Sequence, residues 1–346
     1  MPKGGVDYSR GVPFASAKTA AVALCAAALL TVTACGQAAD PSASPSAGTP
    51  SPSGSASTSP SASPTSTIKP STNLNGITVT PDKFGSKKPT VKLKAPWAID
   101  KTQTKVLTQG KGPVVNPSYV WLHYLGVNAR TGKVFDTNFG KDATMMPLDQ
   151  MVPGFKKGVE GHKVGSRLLI AMPGPDGYDS SGGNAQIDVK VGDTLIFVVD
   201  VVDTVLTGPT GKPITPPSGL PTVTEKDGKP VITIPKADPP AKMVAQPLTT
   251  GTGRTVGAKD VIAVHYLGVS WKTGKVIEDK MSGIDGGLLS STIPGWQKGL
   301  VGKKVGQRVL LVLPPADGYP KGSNNPPVEA GDTVVYVVDI LYAGKG

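Results

Sequence analysis

The sequence predicts an α+β protein made of two copies of one domain, and two observations predict it. The first is repetition. His123-Tyr124-Leu125-Gly126-Val127 returns as His265-Tyr266-Leu267-Gly268-Val269, and Val152-Pro153-Gly154-Phe155-Lys156-Lys157-Gly158 returns as Ile293-Pro294-Gly295-Trp296-Gln297-Lys298-Gly299. Gly192-Asp193-Thr194 to Asp200 likewise returns as Gly331-Asp332-Thr333 to Asp339. Tyr124 and Tyr266 lie 142 residues apart, far beyond the roughly 20–50 residues of solenoid units and about the length of one domain. The second observation is local. Each copy alternates in the manner of strands, in segments rich in β-branched and aromatic residues bounded by Gly, Pro and Asp turns, and holds a single short stretch with helix start and stop signals.

Taken in order, residues 1–35 read as an export signal: Lys3, Arg10 and Lys18 form a basic start, and Ala20 to Val32 is an apolar run short for a membrane span. Val32-Thr33-Ala34-Cys35 closes it and resembles a bacterial lipobox, which implies lipidation at Cys35, a membrane anchor and an extracytoplasmic location. Cys25 would leave with the signal, so no disulfide framework is expected. From Gly36 to about Pro70 the chain is almost wholly Ser, Pro, Ala, Thr and Gly, too poor in apolar surface to offset the entropy of ordering. A disordered tether is therefore set at 36–75, with a reach on the order of 100 Å if extended.

The first domain, 76–207, opens with a strand-like pair, Ile77 to Thr80 with Thr90 to Leu93. Strands follow at Tyr119 to Val127, Arg167 to Met172 and Leu195 to Val202. The one helix starts at Pro153, whose fixed φ and missing N–H suit a first turn, and Gly161 ends it. A Pro/Gly-rich linker occupies 208–221. The second domain, 222–346, repeats the order: Thr222 to Thr224 with Val231 to Ile234, strands at Val261 to Val269, Arg308 to Leu313 and Val334 to Leu341, and a helix from Pro294 to Gly302. A mostly antiparallel sheet with one short helix packed on it is an α+β arrangement.

The ordered set Val/Trp-x-His-Tyr-x-Gly, Gly-Lys-x-Phe-Asp, Val-Pro-Gly-Phe-x-x-Gly, a Gly-Tyr and Asp-Thr-Leu-x-Phe-x-Val resembles the FKBP family of peptidyl-prolyl cis-trans isomerases, over Lys105 to Val205 and again over Val244 to Ala343. The resemblance implies, twice, a five-stranded antiparallel half-barrel wrapped around a short helix, with an aromatic pocket between them. It places the first pocket at Tyr124, Phe135, Asp136, Met151, Val152, Phe155, Tyr178 and Phe197, with Phe155 where the family usually has a floor tryptophan. It also implies proline-containing polypeptide clients, binding of macrolides of the FK506 type, and no cofactor. Such a pocket needs neither nucleophile nor metal, because the twisted amide is less charge-separated than the planar one and loses less on entering an apolar cavity. Asp136 and Tyr178 are expected at the rim, Tyr178 as a hydroxyl donor to the substrate carbonyl.

The second copy places its pocket at Tyr266, Ile277, Glu278, Thr292, Ile293, Trp296, Tyr319 and Tyr336. Ile277-Glu278 replaces Phe135-Asp136, Thr292 replaces Met151, and Tyr336 replaces Phe197. This pocket is expected to be wetter, with a displaced carboxylate and weaker catalysis. The loops Asp179 to Val191 and Pro320 to Ala330 lack the family's usual apolar segment. His123 and His265 sit on strands and read as structural hydrogen-bonders, since neither copy supplies a Ser or Cys motif for them to activate. With three histidines and one cysteine kept in the mature chain, no zinc site is expected. The net charge of +11 reads as a solvated basic surface and not as a nucleic-acid site.

Overall fold

The computed structural model describes residues 68–116 and 118–345; the export segment, Cys35 and the tether up to residue 67 lie outside the described residues. The first domain has β1 (Thr78–Thr80), β2 (Thr90–Lys92), β3 (Gln103–Thr108), β4 (Tyr119–Asn128), β5 (Lys133–Thr137), β6 (Thr144–Pro147), α1 (Pro153–Val159), β7 (Arg167–Met172) and β8 (Leu195–Thr204). The second has β9 (Thr222–Lys226), β10 (Lys229–Thr233), β11 (Val244–Pro247), β12 (Asp260–Ser270), β13 (Val276–Asp279), β14 (Asp285–Leu288), α2 (Pro294–Leu300), β15 (Arg308–Leu313), a small hairpin of β16 (Ser323–Asn324) and β17 (Pro327–Val328), and β18 (Val334–Lys345).

Each main sheet is antiparallel and six-stranded, in the orders β3-β7-β8-β4-β5 and β11-β15-β18-β12-β13, with β6 and β14 on the β4 and β12 edges already occupied by β5 and β13. Five positions across the sheet are thus filled by six segments. In the first domain the interruption is made by Asn138: its Oδ1 accepts the Tyr124 N–H at 2.7 Å and its Nδ2 donates to the Leu122 carbonyl at 2.9 Å. One side chain stands in for the missing strand rung, which keeps buried backbone groups paired.

Both faces of each sheet are covered, so β7 and β15 are buried along their whole length. On one face Leu122, Tyr124, Ile170 and Phe197 pack with Phe155 and Val159 of α1. A Cβ on Gly154 or Gly158 would lie 2.6 Å from Met172 or Ile170 atoms, so glycine at these two positions lets the helix lie directly on β7. On the other face Leu125, Val127, Leu169 and Val198 are covered by Leu74, Ile77, Val79, Val91 and Trp97 from the N-terminal hairpin. Continuous apolar strands are the mark of a sheet buried on both sides. The hairpin is fastened by a buried ion pair. Arg167 Nε and Nη2 donate to Asp200 Oδ1 and Oδ2 at 2.6 and 2.8 Å, Arg167 Nη1 donates to the Pro81 carbonyl at 2.8 Å, and the Gly85 N–H donates to Asp200 at 3.0 Å. The second domain repeats the device with Arg308, Asp339 and Glu225.

Two segments behave differently from their sequence reading. The tether was set to run to residue 75, yet Leu74 is buried and the Ser71 N–H donates to the Ala98 carbonyl at 2.8 Å, because Leu74 caps the outer apolar face. The domain therefore begins near Ser71. The 208–221 stretch is laid along the second domain: Thr210 N–H donates to Gly306 O at 2.7 Å and Ile214 N–H to Leu248 O at 2.8 Å. The domains meet where the Trp121 ring stacks on Tyr342 at 3.9 Å and 8°, flanked by Val205, Leu206, Leu341 and Ile284. Trp121→Ala should separate this junction and convert one calorimetric unfolding transition into two; a single, unchanged transition would show that the stack does not join the domains. The stacking alone is worth about 1 kcal/mol beyond the area buried.

Candidate active site

In the first domain β4, β5 and β8 converge at Gly126, which stands opposite Asp136 on one side and Phe197 on the other. A Cβ on Gly126 would lie 2.5 Å from the Phe135 ring. The absent side chain is what lets Phe135 meet Phe197 edge-on at 5.7 Å, while Phe155 meets Phe197 edge-on at 5.3 Å from the helix side. These offset and edge contacts suit the ring quadrupoles. Met151 closes the short turn Leu148–Gln150 and stays half-buried, and Val152 leads into α1.

The one carboxylate of the eight is held at both oxygens. Tyr124 hydroxyl donates to Asp136 Oδ2 at 2.7 Å, and the Thr137 N–H donates to Oδ1 at 2.7 Å. Burial, then the neighbouring Asp136, pushes the Tyr124 phenol well above its ordinary range, so it remains a donor. Tyr178, expected at the rim, is only 6 % exposed and forms part of the core wall, because the turn Gly174–Asp176 folds it inward. All eight residues expected in this pocket come together. They make an apolar cluster of rings with one oriented carboxylate.

The second pocket holds its eight residues in the same places with different chemistry. Trp296 meets Tyr266 edge-on at 4.9 Å and Tyr336 at 5.5 Å; Ile277 packs where Phe135 stands in the first copy. Tyr266 hydroxyl lies 3.1 Å from Glu278 Oε1 and also 3.1 Å from Asp285 Oδ2. Tyr336 hydroxyl lies 3.2 Å from Glu278 Oε2 and 3.2 Å from the Tyr319 hydroxyl. Burial raises the Glu278 carboxyl above its usual range against the pull of its tyrosine partners, and raises Tyr319 to about 12. The Thr292 hydroxyl is spent on the Leu289 carbonyl at 2.7 Å, with Ile293 buried beside it.

The model of the FKBP-type peptidyl-prolyl cis-trans isomerase family matches residues 110–202 and 252–341 of the chain. The chain belongs to that family. It is an FKBP-type peptidyl-prolyl cis-trans isomerase with two FKBP domains. It is 35% identical over 121 residues to a Corynebacterium glutamicum protein named "Probable FK506-binding protein", covering 98% of that protein and 33% of this chain. It is 29% identical over 118 residues to an FK506-binding protein of Streptomyces anulatus, covering 95% of it and 33% of this chain. Among solved structures, the three FKBP domains of wheat FKBP73 align over 71% of this chain and 96% of that one, with 19% identity and a TM-score of 0.31.

Three features of the FKBP domains were not read from the sequence. The loops after the pocket tyrosines, expected to lack an apolar segment, do return one: Ile187 and Val189 pack on the first core and Val328 on the second. His123 and His265 lie on the sheet face away from the pocket; His123 stacks on Phe139 at 5.7 Å, over which Arg167 also sits at 5.4 Å. Asp285 was missed altogether. The signal was present, since Asp285 stands four residues before Leu289 as Thr144 stands four before Leu148, but a shortened β13–β14 connection hides it from a count forward from the tyrosine. Among the described residues no three His, Cys, Asp or Glu side chains gather as a metal-ligand set.

Proposed function

We propose that the first domain carries most of the isomerase activity, that it acts on exported or envelope polypeptides, and that the protein is held at the outer membrane face by a lipid on Cys35. The observation that supports the first point is the contrast between the pockets: three phenyl rings and one immobilised carboxylate against a ring cluster that carries three tyrosine hydroxyls and two carboxylates. An X-Pro bond isomerises through a twisted amide behind a barrier of about 18–20 kcal/mol. In the first pocket Phe155, Phe135 and Phe197 take the prolyl ring, and the apolar wall favours the twisted form by desolvation. Asp136, fixed by Tyr124, orients the peptide. Lowering the barrier by about 5 kcal/mol gives several thousandfold acceleration.

The test uses point variants in the full chain with a protease-coupled assay. Asp136→Ala should lower kcat/KM about tenfold, worth about 1.4 kcal/mol, and Glu278→Ala less than twofold. The reverse ranking sinks the assignment to the first domain. An FK506-type macrolide should bind the first pocket more tightly than the second for the same reason. A binding or chaperone role for the second domain is favoured by one observation, the polar filling of its slot. The anchor is tested separately: Cys35→Ser should leave the membrane fraction, because one lipidated cysteine is the anchor the sequence supplies. Equal labelled-palmitate incorporation in the variant would end that reading.

A further inference from the structure

The second pocket departs from the first in one chemical direction. Every polar addition is an acid or a hydroxyl: Glu278 for Asp136, Asp285 for Thr144, Tyr336 for Phe197. They lie within the stretch 252–341 that the family model matches, and their hydroxyls and carboxylates meet at the Tyr266–Trp296–Tyr336 ring cluster proposed above as the cleft of the second domain. Rings enclose it: Tyr266, Trp296 and Tyr336 are each 7 % exposed or less, while Glu278, Asp285 and Tyr319 stand half-buried at its mouth.

The donors and acceptors in this cleft do not balance. Tyr266 has one hydroxyl proton and two carboxylate oxygens at 3.1 Å, from Glu278 and Asp285. Tyr336 and Tyr319 between them supply two protons for two contacts, Tyr336 to Glu278 Oε2 and Tyr319 to Tyr336, so the shortage lies at Tyr266. Asp285 Oδ1 accepts the Gly286 N–H at 2.8 Å, which leaves two carboxylates sharing a hydroxyl. The ion pairs of the second domain engage Glu225, Asp260, Asp279, Asp317, Glu329 and Asp339; among the described residues none engages Glu278 or Asp285. Lys280 acts on Glu278 only at longer range, from an exposed position. In the first pocket the same count closes, because Asp136 is alone and satisfied by one phenol and one amide.

We infer that the second pocket selects a cationic side chain of a client polypeptide, the ammonium of lysine or the guanidinium of arginine, placed against Trp296, Tyr266 and Tyr336 and between Glu278 and Asp285. Rings supply their negative faces to such a cation, and its N–H donors fill the acceptor surplus. The aliphatic stem of the side chain takes the apolar part of the slot beside Ile277 and Ile293. The inference rests on the reading of the second domain as a peptide-binding FKBP cleft and names its substrate class.

The experiment titrates the full chain with acetyl-Ala-Lys-Pro-Ala-amide and with its norleucine counterpart, which keeps the stem and lacks the charge. Occupancy is read from the indole resonance of Trp296, assigned by its loss in Trp296→Phe. The lysine peptide should bind with a Kd about tenfold lower, and an arginine peptide should follow it. The preference should fall below threefold in Asp285→Asn and in Glu278→Gln, both near-isosteric and checked by unchanged melting. Equal or tighter binding of the norleucine peptide to the wild-type chain overturns the proposal while leaving a peptide cleft. A lysine preference that survives both substitutions also overturns it, by placing the selecting charge elsewhere. If no peptide moves the Trp296 resonance although the chain isomerises all of them, the peptide-cleft reading of the second domain falls too.

Discussion

Arg167→Met is expected to destabilise the first domain by about 3–5 kcal/mol, because it strands the Asp200 carboxylate in a dry site. Arg167 is fully buried and Asp200 is 1 % exposed, and the guanidinium also donates to the Pro81 carbonyl, so the substitution loosens the hairpin as well. Against a typical total of about 5–15 kcal/mol for a domain, that loss is large. Urea unfolding measures it. The companion double variant Arg167→Met/Asp200→Leu should recover most of the loss, since replacing both charges by apolar groups removes the stranded carboxylate. The pair lies on the sheet face opposite the slot, so kcat/KM of the protein that remains folded should stay within about twofold, below 0.5 kcal/mol in barrier terms. A single-variant loss under about 1 kcal/mol would mean that water reaches Asp200 and that the pair is not the fastening it is described as.

Phe155→Ala should strike stability and catalysis together. The ring is 1 % exposed, meets Phe197 at 5.3 Å, and joins α1 to the sheet. Its truncation should cost about 3–5 kcal/mol of stability through the cavity left behind. It also removes the ring proposed as the floor for the prolyl ring, so kcat/KM should fall at least tenfold when measured well below the melting temperature, about 1.4 kcal/mol or more of barrier. The corresponding Trp296→Ala in the second domain should lower stability while changing the activity of the chain less than twofold. If Phe155→Ala melts early but retains full kcat/KM, the ring is packing only and the slot lies elsewhere.

The strands and helices were legible because their cues are local. Pro153 and Gly161 bracket α1, and Arg167–Met172 and Arg308–Leu313 read as strands from composition alone. The sixteen residues proposed for the two pockets could be grouped in advance only through the family pattern; Phe155 and Phe197 in isolation are indistinguishable from any core aromatics. What escaped depends on contacts between distant residues. Asn138 gives no sign in sequence that its amide replaces a strand rung between Leu122 and Tyr124. Leu74 looks like part of a polar tether until the outer face of the sheet exists for it to cover. The Arg167–Asp200 and Arg308–Asp339 pairs join strands 33 and 31 residues apart, and nothing in either neighbourhood marks those charges as buried.

The Trp121–Tyr342 stack and the hydrogen-bonded 208–221 stretch have a consequence for how a client meets this protein. Two sites joined by a slack chain dilute each other as the connection lengthens; two sites on joined bodies do not. If both clefts bind polypeptide as proposed, a client captured at one encounters the other at an effective concentration governed by its own length and stiffness. The spacing between two recognition points in the client becomes a selection rule. Clients whose points match the separation of the clefts gain avidity without any new contact, and those that cannot span it gain none.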